Sequence, residues 1–351
     1  PEGCVILAMQ HDSSPSIPDR VNAGNWLTHY TLDELESKIA TNRVVLPICS
    51  LGTFEEDLVR VGSLVLPPLY HEALDASLES DLIARMGDCF PYLRGSTRRE
   101  RAGDNLEVVQ LPPRTIDPPR SPRILAFSVD TAVEQHGPHL PLATDTIQSY
   151  AVLDELAAEF EEFAIGPPVD YGHLTWGLPR GLSIDITPGL LMRYVTGFVN
   201  AVQEWARPKA IYVVDVHGSP VHRQAIRDGL AASRAKKWLF RWLYEPLVEF
   251  AFERGDQHAG AVETAVIECI NPRLLDARWW PSRIEELAAG EMPVQQAIDL
   301  SADMSRFIAH AESSSWNGIV GQIRNYTTLD GRHLFERMLN LARHDVQALL
   351  S

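Results

Sequence analysis

Two short apolar runs, residues 123–129 (RILAFSV) and 209–214 (KAIYVV), alternate along the chain with stretches whose apolar residues recur every three or four positions. That alternation restricts the fold more than any other feature. Strands separated by helix-length segments lie parallel, and a parallel sheet needs cover on both faces. Residues 146–160 place Ala151, Leu153, Leu156, Ala157 and Phe160 on one helical side. Residues 190–205 do the same with Leu191, Tyr194, Val195, Phe198, Val199 and Val202. A further helix starts near Val221, and residues 334–350 close the chain with Phe335, Met338, Leu339, Ala342, Val346 and Leu349 in register. The pattern predicts an α/β fold, three layers α/β/α around a parallel or mixed sheet. Ligand sites in such folds lie outside the carboxyl ends of the strands.

Two Pro-rich tracts punctuate this order. Residues 10–24 read as a surface arm, and residues 95–122 pass from a charged stretch into Pro112-Pro113 and Pro118-Pro119. The second tract predicts a boundary between an N-terminal accessory segment, residues 1–115, and a main domain, residues 116–351. A formal charge of −16 argues against nucleic acid as the main partner, because a phosphate backbone demands net positive charge. No apolar run approaches the ~20 residues of a membrane helix, and no basic-then-apolar leader is visible, so a cytoplasmic location is expected. Cys4, Cys49, Cys89 and Cys269 have no zinc-knuckle spacing and suggest no disulfide framework.

Site chemistry concentrates at three places. The densest is Glu134-Gln135-His136-Gly137-Pro138-His139-Leu140-Pro141, closed by Asp145. Glu134 and His136 leave the same face of an extended segment. Gly137 and the prolines then turn the chain so that Asp145 returns just before a helix. Two carboxylates and an imidazole on one stiff loop suit a divalent transition metal, and one Asp can bridge two ions. The alternative is a proline-stiffened loop with polar decoration. His217, after the strand at 209–214, points into the same crevice, although a lone His is more often structural; Asp215 is a candidate partner for it. Ser219 lacks any Gly-x-Ser-x-Gly context and makes a poor nucleophile. Third, Glu263 enters the apolar run Ala265-Val266-Ile267, which is costly unless the carboxylate is paired or bound to metal. His258, five residues earlier, can carry a proton near neutral pH.

Glu134 to Pro141 followed by Thr144-Asp145-Thr146, then Asp215 to Pro220, then His258-Ala259-Gly260 leading to Glu263-Thr264, resembles the creatininase (creatinine amidohydrolase) family in content and order. The likeness covers about residues 120–351. It implies a creatininase-like core and two divalent ions (Zn, Mn or Fe), one held by Glu134, Asp145 and His217, the other by His136, Asp145 and Glu263. It further implies a water between the ions as nucleophile, His258 as proton carrier, and Tyr171, His173 and Trp176 facing the substrate. The implied activity is hydrolysis of a C–N bond in a small cyclic amide, formamide or similar polar molecule, by a homo-oligomer without nucleic-acid or membrane partners. Peptide bonds and keto-cyclitol C–C bonds are the enzymatic alternative; a non-catalytic scaffold is the other. Family members that hydrolyse creatinine carry a Glu ligand where Ser219 stands, and the family's Phe-Pro-Gly-Thr is replaced by Leu178-Pro179-Arg180-Gly181. Both departures make substrate identity the least transferable property.

The N-terminal segment echoes the core. Arg43-Val44-Val45-Leu46-Pro47 parallels the start of the 123–129 run, and Leu66-Pro67-Pro68-Leu69-Tyr70 parallels Gly166-Pro167-Pro168-Val169-Asp170. Either a shortened, metal-free copy or an unrelated accessory layer accounts for this, with Thr31 opening a helix through a capping box.

Overall fold

The apolar runs at 43–49, 124–128 and 210–215 each lie inside a parallel sheet, flanked on both edges by other strands. In a computed structural model of the chain, the structure describes residue 31 and residues 43–51, 63–93, 106–110 and 122–351. The surface-arm tract, the capping box after Thr31 and the expected boundary at 115 lie outside the described residues.

Strand β1 (Arg43–Cys49) is followed by β2 (Ser63–Val65), β3 (Leu69–Tyr70), helix α1 (Ala76–Leu93) and β4 (Leu106–Gln110). β4 falls within the second Pro-rich tract; it pairs parallel with β1 from Val44↔Leu106 to Ile48↔Gln110. The core begins with β5 (Ile124–Ser128), α2 (Thr144–Glu159), β6 (Phe163–Ile165), α3 (Pro188–Ala206), β7 (Ala210–Asp215), α4 (Pro220–Ala232) and β8 (Trp238–Trp242). It continues with α5 (Val248–Arg254), α6 (Ala261–Ile270), α7 (Ile284–Ala289), α8 (Val294–Ser301), α9 (Met304–Ser313) and α10 (Gly331–Leu350). The core sheet runs β6-β5-β7-β8, every pair parallel.

Because side chains alternate across a strand, β5 and β7 feed two separate cores. Leu125, Phe127, Ile211 and Val213 pack with Leu191, Tyr194 and Phe198 of α3 and with Ile226 and Leu230 of α4. Ile124, Ala126, Tyr212 and Val214 pack on the other side with Val152 and Leu156 of α2, Val266 of α6 and Met338 of α10. This is the three-layer α/β/α arrangement. Phe127 and Phe198 meet edge-on at 4.9 Å between ring centroids, and each fully buried side chain of this kind contributes about 1.5–3 kcal/mol. α3 starts where Thr187 accepts a hydrogen bond from the Leu190 N–H at 3.3 Å, with Pro188 in the first turn. Among the described residues no helix is long and apolar enough to cross a membrane.

The N-terminal strands repeat the order of the core. β1 has β2 and β3 on one edge and β4 on the other, as β5 has β6 and β7. The Leu66 N–H donates to Val45 O at 2.8 Å, and the Gly166 N–H donates to Ala126 O at 2.6 Å. Ile48 pairs with Leu69 where Val129 pairs with Val169. These registers match Val45 to Ala126, so the strand correspondence is shifted by one residue from the one the sequence suggests. The Ile48 side chain of β1 and Leu82 and Met86 of α1 join the same core as α3.

Candidate metal centre

Two strand ends and two helix starts converge beyond the carboxyl edge of the core sheet. The loop after β5 carries Glu134 and His136, the first turn of α2 carries Asp145, the segment after β7 carries His217, and the first turn of α6 carries Glu263. All five are buried, with His136 at 0% and His217 at 8% exposure. Placing Asp145 and Glu263 in first turns sets each carboxylate against the positive end of a helix.

Asp145 divides its oxygens. Oδ1 lies 3.4 Å from His136 Nε2, and Oδ2 lies 3.4 Å from His217 Nδ1, which is also 3.1 Å from Glu134 Oε2. Ligand atoms of Glu134, His136 and Asp145 lie within 4.8 Å of one another, as do those of His136, His258 and Glu263. Each histidine has its outward nitrogen taken by a backbone carbonyl. His136 Nδ1 is 3.0 Å from Glu134 O, His217 Nε2 is 3.1 Å from His173 O, and His258 Nε2 is 2.8 Å from Gln135 O. With those N–H groups donating, the other nitrogen of each ring faces the centre, where a proton or a metal can take it. His136 Nε2 makes no hydrogen bond although it is buried.

Electrostatics follow from packing carboxylates against imidazoles away from water. Burial pushes the Glu134 carboxyl up, but the His217 imidazole beside it overrides this and holds it down at about 2. Asp145 is likewise lowered against its burial, chiefly by His136. Burial pushes His136 down, yet Asp145 raises it to about 9. His217 is raised well above the usual histidine value against its burial, first by Glu134. Burial pushes Glu263 up to about 8, opposed by His136. Burial, and then the charge on His136, lowers His258 to about 4, so it is neutral at physiological pH. An orphaned imidazole nitrogen among carboxylates is a donor set that fits divalent transition metals.

Tyr171 and Asp215 depart from expectation, and the other candidates take definite places. Tyr171 does not face the site: it is 1% exposed, packs in the core with α3, and its hydroxyl donates to Pro67 O at 2.6 Å. Trp176 packs against Met292, Leu300 and Phe307, and its indole N–H donates to Ser301 Oγ at 2.9 Å. Asp215 does not hold His217, whose outward nitrogen goes to the His173 carbonyl; its Oδ1 lies 3.6 Å from His222 Nε2 instead. Ser219 is the N-cap of α4 and accepts from the His222 N–H. His173 is half-buried, with Nδ1 3.0 Å from Asp185 Oδ1.

Other contributors had no role assigned from the sequence. Thr131 Oγ1 lies 2.6 Å from Glu134 Oε2 and 3.0 Å from Asp145 Oδ2, tying the two carboxylates together. Gln135 stood in the recognised motif without a role; its backbone carbonyl fixes His258 and its side-chain amide donates to Gly318 O at 3.2 Å. Gly177 lets the backbone press on the site, because a Cβ there would come within 2.5 Å of Glu134 Oε1.

A family model described as Creatininase: Creatinine amidohydrolase matches residues 129–344, which include every one of these ligand candidates. The chain belongs to the creatininase family. Its relatives in that family include the mycofactocin precursor peptide peptidase of Mycolicibacterium smegmatis, 26% identical over 217 residues, covering 60% of this chain and 78% of that protein. The Mycobacterium tuberculosis H37Rv protein of the same name is 27% identical over 220 residues, covering 60% and 79%. Among solved structures, a protein of Bacteroides fragilis NCTC 9343 superposes with a TM-score of 0.49 at 18% identity, covering 65% of this chain and 90% of that one. A creatinine amidohydrolase (creatininase) superposes with a TM-score of 0.45 at 15% identity, covering 65% and 91%. As a creatininase-family protein the chain is a hydrolase of a metal-dependent family, and it holds a group of buried residues able to bind metal.

Proposed function

We propose that the chain hydrolyses an amide C–N bond at a centre of two divalent ions, Zn, Mn or Fe. Glu134, Asp145 and His217 would hold one ion, and His136, Asp145 and Glu263 the other. The observation that carries this is the division of Asp145, whose two oxygens face two histidines at 3.4 Å each. The ions would supply acidity to water and polarise a substrate carbonyl.

The protein's own residues supply orientation and proton transfer. Glu134 O, His173 O and Gln135 O fix which nitrogen of His136, His217 and His258 faces inward. His258 Nδ1 lies 4.0 Å from Glu134 Oε1, and its lowered pKa leaves that nitrogen free to accept a proton at neutral pH. There it can take the proton released as water attacks the carbonyl and pass it to the leaving nitrogen. Small cyclic amides, formamides and similar polar molecules are the preferred substrates. Similarity to the two peptide peptidases favours a peptide bond as the second reading; the bond broken is the same.

Metal analysis of the purified protein and a substrate panel of lactams, formamides and short peptides test this together. Two ions per chain and turnover abolished by chelator and restored by added metal are expected. One ion at full occupancy, or turnover indifferent to chelator, would overturn it.

A further inference from the structure

The family model begins at residue 129, so nothing in it accounts for β1 to β4 and α1. We propose that this N-terminal segment positions the metal centre, with Arg85 of α1 acting through Asp185 and His173 on His217. The proposal rests on the metal-centre assignment above.

The path is continuous. Arg85 Nε donates to Asp185 O at 3.0 Å, and its Nη2 pairs with Asp185 Oδ2. The Asp185 side chain is only 6% exposed. Its other oxygen, Oδ1, accepts from the Leu174 N–H at 2.9 Å and lies 3.0 Å from His173 Nδ1. Residue 173 is thereby fixed at both its side chain and its backbone. Its N–H donates to His222 Nδ1 at 3.2 Å, and its carbonyl accepts from His217 Nε2 at 3.1 Å. His217 Nδ1 then faces Glu134 and Asp145.

Residues 172–185 form a strap closed on itself by the Gly172↔Asp185 bridge, with the Ile186 N–H donating to Gly172 O at 2.9 Å. The N-terminal segment grips both ends of it. Pro67 O accepts the Tyr171 hydroxyl just before the strap, while Arg85 and Cys89 Sγ, 3.4 Å from Asp185 O, hold its far end. Midway, Gly177 presses on Glu134. Two of the five ligand candidates therefore take their positions from a strap anchored outside the family domain. Simple docking of α1 does not require this contact, because Leu82 and Met86 are already buried in the shared core and Asp81 pairs with Arg193 at 2.7 Å. Arginine suits the task because its fork can bind a carbonyl and a carboxylate of one residue together.

Among the described residues the segment resembles the core in strand order.

The test uses the whole 351-residue chain and zinc alone. Arg85→Met, the milder Arg85→Gln, Asp185→Asn and the Arg85→Met/Asp185→Asn pair are compared with wild type by competition against a chromophoric chelator. Visible spectra of the cobalt(II)-loaded proteins report ligand geometry independently. Folded Arg85 variants should bind zinc about tenfold more weakly, in the range seen when groups supporting metal ligands are removed. Their cobalt spectra should change, and the double variant should be no weaker than Asp185→Asn. A folded Arg85→Met or Arg85→Gln protein with wild-type zinc affinity and cobalt spectrum would overturn the proposal, even if its melting temperature falls. Wild-type protein that takes up no zinc would overturn the metal centre itself, a failure visible before any variant is made.

Discussion

At the scale of single residues, His258 and Glu263 divide metal binding from proton transfer. His258 lies on the short segment leading into α6 and Glu263 in its first turn, where Glu263 Oε2 accepts the Ala259 N–H at 2.6 Å. The ligand atoms of His258 lie near those of His136 and Glu263, so geometry alone admits His258 as a ligand. Its neutral, centre-facing Nδ1 suits proton transfer equally. His258→Ala should keep both ions and lower turnover by ~10²–10⁴-fold, whereas Glu263→Gln should lose one ion with the fold intact. Metal content measured beside steady-state rates decides; an ion lost from His258→Ala would make it a ligand. The sequence could be read as far as Glu134, His136 and Asp145 because three ligand types share one rigid loop. Glu263 drew notice because a buried carboxylate is costly. Thr131 and Asp185 gave no such signal, since a hydroxyl or carboxylate acquires meaning only from partners distant in sequence. Tyr171 misled for the opposite reason: it neighbours the strap, but its ring fills the core.

Among elements, β5, β7, α2, α3 and α10 were readable from periodicity, because buried parallel strands are continuous apolar runs and their covering helices are one-sided. β6 has three residues, and β8 carries Arg241, which pairs with Asp345 of α10 at 2.7 Å, so neither offers a period to detect. β4 was not read as a strand because the broken, Pro-rich tract around it hides its short run. The contact that joins the N-terminal segment to the core depends on a glycine in the middle of α3. A Cβ at Gly197 would fall 2.1 Å from Ala73 O, a backbone atom that cannot swing aside. Gly197→Ala should therefore destabilise the protein by about 1–3 kcal/mol despite alanine's better helix propensity. A lowered urea midpoint checks this; an unchanged or raised midpoint would show that α1 and the turn at His71–Ala73 can move off α3 freely.

For the molecule as a whole, the ligand set links stability, metal and pH. Without metal, the His136–Asp145 pair supplies part of the cohesion between the loop after β5 and α2. The folded pKa of His136 is raised to about 9, above the ~6.5 of an unfolded histidine. A raised pKa means the contribution is fully present below about pH 6.5 and is lost as pH rises through about 9. A divalent ion must displace that proton, so its binding strengthens over the same interval. Bound metal also stabilises by mass action, about 2.7 kcal/mol when free ion is a hundred times its Kd. Zinc should accordingly raise the melting temperature at every pH, and by a larger increment near pH 9 than near pH 6.5. Thermal scans of metal-stripped and zinc-loaded protein across that range measure the increment directly. An increment that shrinks as pH rises would mean that the imidazoles facing Asp145 are already neutral in the metal-free fold, and that its two oxygens are held apart by something other than those protons.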